Sequence, residues 1–103
     1  MSVEGEQQAT PLDLFVAPLG AAAMRHAGVL TRDVRRAGYS VELAEAKLKR
    51  AMELANKAGA RFTLIIGDNE IAAGRYALKN MTTGDQQNVT SEGILAALAA
   101  AKQ

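Results

Sequence analysis

Asp68 and Glu70 follow directly on Phe62–Ile66 (FTLII), the most strand-like segment of the chain, with Gly67 as the turn residue. Carboxylates just past the end of a parallel strand stand on the edge where open α/β sheets bind ligands. Lys79 lies one strand further on. A carboxylate accepts from an amino group, and a lysine donates to carbonyl or ring-nitrogen acceptors. Displayed together, such groups have the chemistry to read base edges. The plainer use is a turn, and for Asp68 and Asn69 the turn is preferred. For Glu70 the residues leave the two uses even.

The other reactive residues are weaker candidates. Arg25, Arg32 and Arg36 on one predicted helix, and Lys47, Lys49, Arg50 and Lys57 on the next, could face phosphates. The interleaved Asp33, Glu45 and Glu53 favour ordinary solvated faces. Pro18-Leu19-Gly20 follows a strand and opens a helix, a place where backbone amides could hold an anion. It lacks the repeated glycines of a phosphate loop, so a plain connection is preferred. His26 is the single histidine and there is no cysteine, which excludes disulfides, thiolate sites and multi-histidine metal clusters. His26 is expected on the surface or partly packed. No nucleophile, base and orienting group come together, so nothing argues for catalysis.

Composition narrows the classes further. A chain of 103 residues is one small domain. Alanine supplies 21 of its apolar residues, so elements must approach closely around a small aliphatic core. Without tryptophan, and with two phenylalanines and two tyrosines, a large stacking platform for single strands is not expected. The net charge of +1 excludes a strong nonspecific nucleic-acid binder. No apolar run approaches the roughly 18 residues of a membrane span. Residues 1–10 are polar and acidic, unlike a signal peptide, so a soluble cytoplasmic domain is expected.

These residues need a scaffold, and the hydrophobic pattern supplies one. Residues 1–11 read as a lead-in or linker and residues 12–103 as the domain. Leu14, Phe15, Val16 and Ala17 suit a buried strand. Ala23, Ala27, Leu30, Val34 and Ala37 share one face of a helix. The segment YSVEL alternates as a second strand. A second helix is expected from about Glu45 to Ala58, burying Leu48, Ala51, Met52 and Ala55. Phe62–Ile66 should be the central strand. A short helical turn at residues 71–74, a strand at 75–79, a hairpin turn at 82–85 and an edge strand at 86–89 follow, and Ser91 should cap the last helix. The class is α/β: a βαβαβ unit plus a hairpin and a C-terminal helix, giving a mixed sheet of about five strands with three flanking helices.

Ala58-Gly59-Ala60-Arg61-Phe62-Thr63-Leu64-Ile65-Ile66-Gly67-Asp68-Asn69-Glu70 resembles the central signature of the anticodon-binding domain of histidyl-tRNA synthetase. Ala73-Gly74, Ala77-Leu78-Lys79-Asn80-Met81 and Thr83-Gly84-Asp85-Gln86 continue it. Leu14 to Gly20, Arg36-Ala37-Gly38 and Val41-Glu42-Leu43 fit it as well, so the likeness covers about residues 12–100. The resemblance implies binding of a tRNA anticodon stem-loop. It implies a class II catalytic domain in the same polypeptide, dimeric and holding the ATP, magnesium and histidine sites, with no cofactor in this domain and no aminoacylation by it alone. By position, Glu70 matches an acidic residue that contacts an anticodon base, and Lys79 the basic residue that joins it. Lys49 matches a helix lysine, with Arg50 beside it for backbone contacts, and Arg61 is matched too. Between Leu43 and Lys47 the chain is about two residues shorter than the common pattern, and Ala44-Glu45-Ala46 replaces glycine-arginine-serine. That departure supports a rival, a synthetase-like regulatory or protein-interaction module without tRNA readout. A second rival binds a small anion at the Pro18-Leu19-Gly20 turn.

Overall fold

A computed structural model describes residues 12–45 and 47–102; the expected lead-in over residues 1–11 lies outside them. The elements are β1 (Leu14–Pro18), α1 (Ala21–Arg36), β2 (Val41–Leu43), α2 (Leu48–Ala58), β3 (Phe62–Ile66), α3 (Asp68–Ala73), β4 (Tyr76–Asn80), β5 (Gln86–Val89) and α4 (Ser91–Lys102). The strand order is β2-β1-β3-β4-β5. β1 pairs in parallel with β2 and β3; β4 is antiparallel to β3 and β5 to β4. The mixed five-stranded α/β sheet is as expected, with FTLII at its centre. The short turn after it is a complete helix, so four helices rather than three occur among the described residues.

The strand order decides where the helices lie. β1 to β2 steps one way along the sheet, and β2 to β3 steps back past β1. Right-handed crossovers in opposite directions place α1 and α2 on opposite faces. The first face carries Leu14, Val16, Phe62, Leu64, Ile66, Tyr76 and Leu78, which pack with Ala23, Ala27, Leu30 and Val34 of α1 and Ile94 and Leu98 of α4. The second face is thinner. There Phe15 and Ala17 meet Ala51 and Ala55 of α2, and the small side chains let the helix sit close to the strands.

Some local details differ from expectation. Thr90, not Ser91, caps α4: its Oγ1 accepts from the Gly93 amide at 3.2 Å, which makes Ser91 the first helical residue. α2 begins at Leu48, three residues later than expected, and Leu48 is 46% exposed. Its side chain lines a groove beside Leu19, while Ala51 in the same turn is buried against Phe15 and Ala17. His26 is half-buried on α1 and shares a hydrogen bond through Nε2 with the Tyr76 hydroxyl of β4. Burial raises the pKa of Tyr76 above the ordinary phenol value. The pair is a packing contact between helix and sheet, in line with a partly packed histidine.

Two buried hydroxyls are left without a hydrogen-bond partner among the described residues, Thr31 Oγ1 on α1 and Thr63 Oγ1 in β3. Thr63 is fully buried in the central strand, and its Oγ1 has no hydrogen-bond partner. An unpaired hydroxyl in such a place costs free energy that an isosteric methyl group avoids. Thr63→Val should raise the stability of the chain by about 1 kcal/mol, read as a higher urea midpoint at unchanged slope. Leu64→Ala, one residue along on the packed face, should lower it by about 2–5 kcal/mol in the same measurement.

Candidate nucleic-acid interface

Because β1, β2 and β3 are parallel, their carboxyl ends lie on one edge. The chain leaving β1 turns towards α1 on one face, and the chain leaving β2 turns towards α2 on the other. A crevice opens where connections diverge in this way. It is a groove of about 540 Å³ lined by Pro18, Leu19, Gly20, Glu45, Lys47 and Leu48. Leu19 and Leu48 expose apolar surface on its two sides, at 36% and 46%. Gly20 has φ of 133°, a conformation other residues rarely adopt, so it can turn the chain sharply into α1. Helix periodicity hides the Leu48 side of the groove, because it puts Leu48 in the buried stripe of α2; the Pro18-Leu19-Gly20 turn on the other side is the part legible in the sequence.

The same delayed start changes the electrostatics of α2. Expected from Glu45, the helix would carry an acid in its first turn. Starting at Leu48, it has none there, and Lys47, Lys49 and Arg50 crowd its positive end. Cations at a helix N-terminus oppose the macrodipole, and a nearby anion relieves both. Lys49 and Arg50 are exposed. Arg50 Nη1 lies 3.8 Å from Glu53 Oε1, with both side chains more than half exposed, a pairing too weak and solvated to hold the guanidinium.

Glu70 stands in the first turn of α3, on the same edge. Its Oε1 accepts from the Gly67 amide at 2.9 Å. This is the backward half of a capping box; glycine has no side chain to complete the other half. A Cβ at position 67 would lie 2.7 Å from that oxygen, so the glycine makes room for the contact. The half-buried carboxylate thus spends one oxygen on the fold, and among the described residues the other accepts no hydrogen bond. The structural and ligand-reading roles left even by the sequence are compatible.

Lys79 is placed differently from what chain order suggests. It pairs with Thr63, three residues back from Ile66, so its backbone lies roughly 10 Å from the carboxyl end of β3. The structure therefore does not set Glu70 and Lys79 side by side: Glu70 is on the edge, and Lys79 on the sheet surface behind it, half-exposed. Arg61 is at the opposite edge. Its Nε lies 4.0 Å from Asp13 Oδ1, and its Nη1 donates to the Ala101 carbonyl of α4 at 3.3 Å. Asp13 in turn accepts from the Ser40 amide at 3.0 Å. Arg61 thus ties the start of β3 to the start of β1 and to α4. Among the described residues no group of three or more His, Cys, Asp or Glu side chains could hold a metal ion.

Arg61→Ala should cost about 0.5–1 kcal/mol, since the contact is partly exposed, and should loosen α4. Hydrogen exchange should speed up over residues 91–102 and stay unchanged in β3.

Known proteins share this architecture and sequence. The family model "Anticodon binding domain" matches residues 13–101. The histidine–tRNA ligase of Solibacter usitatus is 71% identical over 101 residues, which cover 98% of this chain and 24% of that protein. The solved histidyl-tRNA synthetase of S. aureus superposes with a TM-score of 0.79 at 32% identity, covering 85% of this chain and 26% of that one. The histidyl-tRNA synthetase of Nostoc sp. PCC 7120 gives 0.83 at 26% identity, covering 91% and 23%. The chain spans about a quarter of the length of the curated relatives it matches. It belongs to the anticodon-binding domain family, and its likeness within that family is to the histidine–tRNA ligases.

Proposed function

We propose that this chain binds the anticodon stem-loop of a histidine tRNA, as the anticodon-binding module of a histidine–tRNA ligase. The observation that carries the reading is the match along nearly the whole chain, at 71% identity, to a histidine–tRNA ligase. The geometry supplies a mechanism. Loop bases of RNA are unstacked and can offer their edges to side chains. The free oxygen of Glu70 accepts from a base amino or imino group. Lys79 donates to a carbonyl or ring nitrogen from the sheet surface behind it. Lys49 and Arg50 hold backbone phosphates at the positive end of α2, where an anion is electrostatically welcome. Arg61, on the far edge, supports RNA binding through the fold that it ties together.

Such a module needs little net charge, because phosphate contacts position the loop and a few base contacts specify it. Activation of histidine, with its ATP and magnesium, belongs in this proposal to a catalytic domain of the same polypeptide, which forms the homodimer. No helix among the described residues is long and apolar enough to cross a membrane. The cytoplasm, where tRNA is charged, is the proposed compartment.

The chain should bind an RNA hairpin carrying the histidine anticodon more tightly than one with the anticodon bases exchanged, measured by fluorescence anisotropy. Equal affinity for the two would sink the reading. Glu70→Gln should keep the contact to Gly67 through its amide oxygen yet cut the discrimination about fivefold or more. Lys49→Ala should weaken both hairpins alike and flatten the salt dependence by about one phosphate contact.

A further inference from the structure

The register of the sheet sets out a surface that neither chain order nor helix periodicity makes visible. On the second face two rows run straight across the strands. One consists of Phe15, Thr63, Lys79 and Gln86; the other of Ala17, Ile65, Ala77 and Asn88. Residues paired across neighbouring strands point to the same side, so each row is a line of side chains on one face. α2 packs over β1 and β3, where Phe15 and Ala17 meet Ala51 and Ala55. It leaves the β4–β5 half of the rows uncovered: Lys79 is half-exposed, and Gln86 and Asn88 are exposed. Ala77, small and buried, forms a low floor between them.

We propose that Gln86 and Asn88 are specificity-determining residues that read loop bases alongside Lys79. The inference rests on the anticodon-binding function proposed above. Three observations carry it. Gln86 is the direct cross-strand neighbour of Lys79, within the roughly 5 Å that such pairs span, so a base held by the lysine lies within reach of the amide. A lysine only donates, whereas a carboxamide both donates and accepts. The pair can therefore satisfy a base edge that presents a carbonyl beside an N–H, which the lysine alone leaves half-met. Asn88 lies one row nearer the carboxyl edge, on the Glu70 side of Lys79, about 7 Å along the strand. The amides thus extend the polar surface of Lys79 along β5, beside the low floor of Ala77 that separates Lys79 from the carboxyl edge. Gln87, between them in sequence, pairs with Leu78 and faces the opposite side.

The test uses the full 103-residue chain and the same two hairpins, one with the histidine anticodon and one with its anticodon bases exchanged. The parent chain must first discriminate between them; if it does not, the anticodon-binding reading fails and takes this inference with it. Given discrimination, Gln86→Ala and Asn88→Ala should each reduce the affinity ratio about fivefold or more, and Gln87→Ala should leave it as in the parent. All three positions are exposed, so the melting temperatures should match the parent. A double variant of Gln86 and Asn88 that keeps the parent's ratio would overturn the inference, as would a Gln87→Ala loss equal to the others. An independent measurement needs no variant. Thiouridine placed in the anticodon should photo-crosslink to the segment 77–88; crosslinks confined to α1 or α4 would overturn the inference.

Discussion

The rest of the structure depends on β3 being paired on both sides with opposite polarity. It lies parallel to β1 and antiparallel to β4. The parallel side belongs to a βαβαβ unit whose crossovers must be right-handed, and this places α1 and α2 on opposite faces. The antiparallel side is β4, reached through the short helix α3 and followed by β5 as a hairpin. A strand paired on both sides has no free edge and is covered on both faces, so it must be apolar throughout. FTLII meets that demand except at Thr63, whose hydroxyl is the strand's polar misfit.

The asymmetry of β3 also makes the site. Three parallel strands bring three loops to one edge, and the divergence of α1 and α2 opens the groove between them. Among the described residues only one helix covers the second face, held close by alanines that add little width. It covers β1 and β3 and no more. The hairpin half of that face is left as an open, polar surface next to the loop-bearing edge. A buried apolar face would have required a further helix, and the chain instead places Lys79, Gln86 and Asn88 there.

Several structural contacts serve the proposed interface indirectly. Glu70 spends one carboxylate oxygen on the turn that leads out of β3, which fixes the orientation of the other. α2 gains no acidic residue in its first turn, so its basic end stays electrostatically unmet within the described residues. Arg61 gathers β1, β3 and α4 at the opposite edge. The residues matched by family resemblance thus divide between the edge, the sheet surface and the fold itself.

The sequence by itself determined the elements and their class. Apolar runs bounded by glycine, alternation in short segments and the spacing of Ala23, Ala27, Leu30 and Val34 are local signals, and each element formed within a few residues of its expected place. The signature around Arg61 to Glu70 carried the family, because it is contiguous in the chain. Three matters were decided only in the tertiary structure. The start of α2 at Leu48, after an extended Lys47, leaves Leu48 exposed on the groove rather than in the buried stripe its spacing suggests. The capping bond of Glu70 depends on the turn geometry at Gly67. The separation of Lys79 from Glu70, and the alignment of Lys79 with Gln86, depend on the register of β4 against its neighbours. Register is a relation between strands: sliding a strand by one residue would turn every side chain to the other face, so it is settled only when both faces find what they pack against.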